Sequence, residues 1–240
     1  MKKVYLVIIG LLFILCYLFP AVNLIKIYES EYFAYYIQDK YNYSSLSAEL
    51  EKQYKTFAKK IDYINKEKTP VRIFKDINTF HKYLELNNAK DSLIIYNKDG
   101  INVVSPYNAG PVYNYKTSLS IVGRASVLSI LESLNNNLPN WLKDGICGYE
   151  VNYDREKTIN YIKNYLKSNK FPSLEDIDKD LNNEQKLASF SYSFIEYIMG
   201  KGDYSKLKEL ITNPDDFKSI FGSDKDQIYN EWKKSILKNL

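Results

Sequence analysis

The chain has 240 residues, 45% of them hydrophobic, enough to bury a sizeable core, and its net charge of +4 comes from 33 basic and 29 acidic residues spread along its length. Dispersed charge without an arginine-rich cluster excludes nucleic acid as an expected partner. The two cysteines, Cys16 and Cys147, exclude a disulfide-built scaffold, because the folded part holds only one of them.

Met1-Lys2-Lys3 is followed by a nearly unbroken apolar run, Val4 to Val22, interrupted by Gly10 and Pro20. About twenty apolar residues match a bilayer core, and no small-x-small cleavage site follows. Residues 1–23 are therefore expected to be a membrane anchor with a single N-terminal span. Lys2 and Lys3 stay inside, and the rest faces outside the cell membrane. Residues 24–69 read as a helical stem. Leu46, Leu50, Tyr54, Phe57, Ile61 and Ile64 recur at spacings of four and three, a stripe on a helix begun near Ser44-Ser45 and ended by Thr69-Pro70.

Residues 70–240 are expected to form the folded domain. Val71 to Phe74 reads as a strand, and Asp76 caps a helix bearing Phe80, Tyr83 and Leu84. The sole histidine, His81, sits there at a surface or half-buried position. Ser92 to Tyr96 and Ile101 to Ser105 read as two strands around the turn Asn97-Lys98-Asp99-Gly100. Pro106, Gly110 and Pro111 then turn the chain into a helix at about Thr117. Helical patterns dominate the remainder: Leu138-Pro139 opens a helix rich in apolar bulk, and others cover Glu156 to Leu166, Glu184 to Met199, Tyr204 to Ile211 and Asp226 to Leu237. The expected class is α+β, a small N-terminal sheet with helices and then a mostly helical half, behind the transmembrane helix and stem.

Two strings within this frame are specific. Leu138 to Glu150, LPNWLKDGICGYE, resembles the LPxWLxEGIAxYE segment of gluzincin-like (peptidase MA-like) metallopeptidases. Ile101 to Pro111, INVVSPYNAGP, is similar to the IxVVSPxNxGP segment that precedes the zinc helix in the same family. The resemblance implies a zincin-like fold over roughly Pro70 to Leu237, with the strand at Ile101 forming a sheet edge to which an extended peptide can add.

The family's third zinc ligand, a glutamate, corresponds here to Asp144. The HExxH motif expected upstream would fall on Arg124 to Leu128 or on Gly123 to Val127, and neither register carries a zinc ligand. A catalytic zinc needs three protein ligands and a glutamate to take a proton from the bound water. No catalytic, metal-binding or cofactor-binding residue is therefore expected. The sequence contains no GxSxG, P-loop, CxxC or GxGxxG motif either.

Arg124, Asp144, Trp141 and Asn108 are expected to line the remnant of the family's cleft, with an Arg124–Asp144 ion pair replacing the metal as the tie between two helices. The implied function is that of a catalytically inactive, membrane-anchored peptidase-like domain that binds a peptide or protein. The alternatives are an active hydrolase with an unrecognised site and a purely structural ectodomain.

Overall fold

The computed structural model describes residues 22–65, 67–86, 93–108, 115–180 and 183–238. Its architecture is α+β. Among the described residues, five strands come from the first half of the chain: β1 (Ile25–Glu29), β2 (Phe33–Ile37), β3 (Thr69–Phe74), β4 (Ile94–Asn97) and β5 (Gly100–Val104). They lie in the order β1-β2-β3-β5-β4. The central strands β2, β3 and β5 run parallel, and β1 and β4 are antiparallel edges.

Parallel neighbours need crossovers, and here they leave on opposite faces of the sheet. The crossover from β2 to β3 is α1 (Ser44–Lys60), whose Leu46, Leu50, Tyr54 and Phe57 join Tyr35, Val71, Ile73, Ile101 and Val103 in one buried cluster. The path out of β3 enters α2 (Ile77–Tyr83), capped by the Asp76 carboxylate, which accepts from the Thr79 N–H at 2.8 Å. Its Phe80 packs with Phe74 and Val104 on the other face, and Val22 and Leu24 lie against the same cluster.

The rest is helical: α3 (Tyr115–Leu134), α4 (Asn140–Glu150), α5 (Arg155–Leu166), α6 (Leu174–Lys179), α7 (Glu184–Met199), α8 (Tyr204–Thr212), α9 (Phe217–Phe221) and α10 (Lys225–Lys238). Helix α7 is apolar on most of its circumference, so it is buried among the others. Trp232 of α10 is fully buried against Phe171, Phe194 and Tyr229, with ring centroids 5.0–5.3 Å away, and donates its indole N–H to Ser193 Oγ at 3.2 Å. Pairing the indole N–H is what makes a buried tryptophan tolerable in a core.

The architecture corrects several expectations. Among the described residues no helix is long and apolar enough to cross a membrane. The run Val4 to Val22 lies outside the described residues except for Val22, and that residue packs against the sheet cluster. The stem placed ahead of the domain is thus replaced by a chain that is already part of the fold at Val22, and the expected span lies outside the described residues.

Residues 24–69 are not a stem, because they supply β1, β2 and α1. In Phe33-Ala34-Tyr35-Tyr36-Ile37, alternate side chains Phe33, Tyr35 and Ile37 point into the core, and aromatic and β-branched residues suit that pleated surface. Helix α1 ends at Lys60; Asp62 then adopts φ 48°, and Ile64, expected on the stripe, is 81% exposed. Thr69-Pro70 begins β3 rather than ending a helix. Finally, the strand at Ile101 is no edge. It hydrogen-bonds β3 on one side and β4 on the other.

Cys147, on α4, is 1% exposed, and burial pushes its thiol up to about 11, with Arg124 pulling the other way. The thiolate is the reactive form. Alkylation with iodoacetamide at pH 8, followed by peptide mass mapping, is expected to leave Cys147 unmodified in the folded chain and to modify it fully in denaturant. Rapid native-state labelling would show that the α4 environment opens readily.

Candidate functional site

Helix α3 presents different faces to its two neighbours. Toward α1 it offers Gly123, where an added Cβ would lie 2.9 Å from Gln53 Cγ, and Ser126, whose hydroxyl donates to the Leu50 carbonyl at 3.0 Å. One residue round from Gly123, Arg124 faces α4 and pairs with the Asp144 carboxylate. The tie expected from the sequence is therefore present. Arg124 thus lies opposite Asp144, with Leu128 one turn further along α3, whereas Gly123 faces α1.

The guanidinium is held from a second side as well. It donates to the Tyr153 hydroxyl and lies 5.7 Å from the centroid of that ring. Tyr153 is placed by the turn that ends α4, where its N–H bonds the Gly148 carbonyl at 3.0 Å, and its ring stacks on Tyr192 of α7 at 6.2 Å. A planar guanidinium with donors in fixed directions suits such double anchoring. The Arg124 and Asp144 side chains keep 27% and 23% of their surface exposed, so solvent and ligands reach the pair. Lys143 and Glu132 form a second pair beside it at 3.1 Å.

The structure does not bring all four expected residues together. Trp141 is 2% exposed, packed on Phe194 at 5.3 Å and Phe217 at 6.4 Å, and so belongs to the core rather than a cleft wall. Asn108 lies beyond the end of β5 and donates to the Lys75 carbonyl at 2.9 Å. Neighbouring Tyr107 touches Tyr115 at the start of α3. Arg124 is nine residues further along that helix, about 13 Å at the α-helical rise.

The donor set does not fit a catalytic zinc. Asp144, which corresponds to a ligand only by the resemblance, is engaged by a fixed cation. Among the described residues no group of three or more His, Cys, Asp or Glu side chains is placed to hold a metal ion. A cysteine–histidine pair is also ruled out by position, since His81 sits on α2 on the opposite face of the sheet from the cluster that contains Cys147.

Sequence reasoning missed a deeply buried ionic group. Glu150, at the end of α4, has a side chain 2% exposed; its Oε2 accepts from Lys60 Nζ at 2.8 Å and its Oε1 from the Tyr204 hydroxyl at 2.9 Å. The signal was there: Leu142, Ile146 and Glu150 are spaced by four, which puts a carboxylate on an apolar stripe. The bonds join α4 to α1 and α8, tying the sheet half to the helical half.

A scan against protein-family models matches none of them, and a search of curated proteins returns no match.

Proposed function

We propose that the chain is a catalytically inactive, metallopeptidase-like domain that binds a peptide or protein segment beside α3. The observation that carries this reading is the Arg124–Asp144 pair, because a fixed positive charge stands against the only carboxylate that the resembled metal site retains. Such a pair keeps two helices in register without a metal and supplies neither a Lewis acid nor an activated water.

The peptide element is reassigned from β5 to β4, an edge strand that lies against α3, with Tyr96 beside Ser133. The Val104 N–H bonds the Leu93 carbonyl at 2.9 Å, so by the alternation of antiparallel pairs the backbone groups of Tyr96 point away from β5. An extended segment can add there by backbone hydrogen bonds.

Three measurements on the purified full chain test the reading. Metal analysis after dialysis is expected to find substoichiometric zinc, and a peptidase assay is expected to show nothing that a chelator abolishes. A displayed library of linear peptides is expected to enrich binders whose affinity falls in Tyr96→Pro, with melting curves checking that the variant is folded. One equivalent of zinc together with chelator-sensitive proteolysis would mean a working enzyme. A library with no enriched peptide would favour a purely structural domain.

A further inference from the structure

Three parallel strands end together at one edge of the sheet, and the loops that follow them form a second, separate feature. Residues 38–43 follow β2, Lys75 and Asp76 follow β3, and residues 105–108 follow β5. Because α1 and α2 depart to opposite faces, the chain divides at the carboxyl ends of β2 and β3, the position at which open α/β sheets bind ligands.

The three loops are fastened to one another. The Lys75 N–H donates to Gln38 Oε1 at 3.2 Å, and the Ser105 N–H donates to the Phe74 carbonyl at 2.8 Å. The Tyr43 hydroxyl donates to Asp39 and lies 2.8 Å from Ser105 Oγ.

On this base stands a row of tyrosines. Tyr107 stacks on Tyr41 with centroids 4.7 Å apart and 25° between planes, and leans on Tyr115 at 5.1 Å. Its hydroxyl donates to the Asn42 carbonyl at 2.8 Å. Even so, Tyr41 and Tyr107 are 48% and 45% exposed. Large rings held by ring contacts and a hydroxyl bond while half in water have had their conformational freedom removed without being buried, which lowers the entropic cost of covering them.

We propose that this exposed tyrosine surface is a carbohydrate site: the outer face of Tyr41, backed by Tyr107, receives the C–H face of a pyranose, and Asp39, Asn108 and Lys75 bind its hydroxyls. The electron-rich face of an aromatic ring attracts the weakly positive axial C–H groups of a sugar, and short carboxylate and amide side chains match neighbouring hydroxyls. An extended peptide fits less well. Strands β2, β3 and β5 each have a strand on both sides, so no open ladder exists here for a peptide backbone to join.

The test uses the full chain with cellotetraose, maltotetraose and chitotetraose, and a decaproline peptide as the competing aromatic-binding ligand. Saturation-transfer difference NMR is expected to show transfer to the pyranose ring C–H protons of at least one tetrasaccharide. Titration calorimetry should then find binding about tenfold weaker in Tyr41→Ala. Tyr41→Phe should bind as the wild type does, because the face and not the hydroxyl makes the contact. Tyr41 is half exposed, so its truncation is compatible with an unchanged melting curve. No transfer to any tetrasaccharide, equal affinity in Tyr41→Ala, or binding of decaproline alone would each overturn the assignment.

Discussion

Gly145→Ala is expected to destabilise the protein by about 3 kcal/mol, near the upper end of what overpacking costs. A Cβ at Gly145 would lie 2.5 Å from Ile195 Cγ1, 2.6 Å from the Ser191 carbonyl oxygen and 2.9 Å from its carbon. The side chain could swing aside, but the backbone of α7 could not without moving the helix. Helices α4 and α7 would have to separate, and Ile146, Phe194 and Ile195, all fully buried, would lose packing with them.

For a domain of this size the cost corresponds to a fall of roughly 6–12 °C in Tm. Because Asp144 is the preceding residue, the same shift would pull its carboxylate from Arg124 and connect the packing to the site. Thermal unfolding of the variant checks the magnitude. A Tm within about 2 °C of the wild type would show that α4 and α7 can separate at little cost.

The second large effect is expected at Lys60. Lys60→Met removes the cation from Glu150 and leaves a carboxylate with 2% side-chain exposure and the Tyr204 hydroxyl as its remaining bond partner in the network. Stranding a buried charge in this way costs about 3 kcal/mol, whereas replacing both members by apolar residues is close to neutral. Denaturant unfolding of Lys60→Met, Glu150→Leu and the double variant forms the cycle, and the double variant is expected to recover most of the loss. Additive losses in the double variant would mean that the two side chains act independently.

The pair also predicts a pH dependence. Burial pulls the Lys60 ammonium down, but its bonds to Glu150 and Tyr204 outweigh burial and leave it above its ordinary value of 10.5. A raised lysine contributes stability that is complete below 10.5 and is lost as pH rises through the higher folded value. The alkaline loss of stability in the wild type should therefore exceed that in Lys60→Met.

Where local pattern and final burial agree, the sequence alone determined the structure. Leu46, Leu50, Tyr54 and Phe57 lie on one stripe, and that stripe is the buried face of α1. Asp76 caps α2 as its position before an apolar run suggests, because a side-chain oxygen at that place reaches a free N–H whatever the rest of the fold does. The Arg124–Asp144 tie has a different origin: Arg124 lies outside both specific strings, and the pairing was expected only from the resemblance that placed the two positions opposite one another.

Tertiary structure alone decided what depends on partners distant in sequence. Phe33 to Ile37 carries aromatic residues at every spacing, so its period was ambiguous until pairing with β1 and β3 made it a strand. Strand order is likewise invisible locally: Ile101 to Val104 looks the same at an edge or in the middle, and β4 folding back beside it closed that edge. Trp141 suits a cleft wall or a core equally well by composition, and Phe194 and Phe217, far along the chain, settled its burial. Glu150 belongs with these, since a carboxylate on an apolar stripe is tolerated only because Lys60 and Tyr204, 90 and 54 residues away, bring their donors to it.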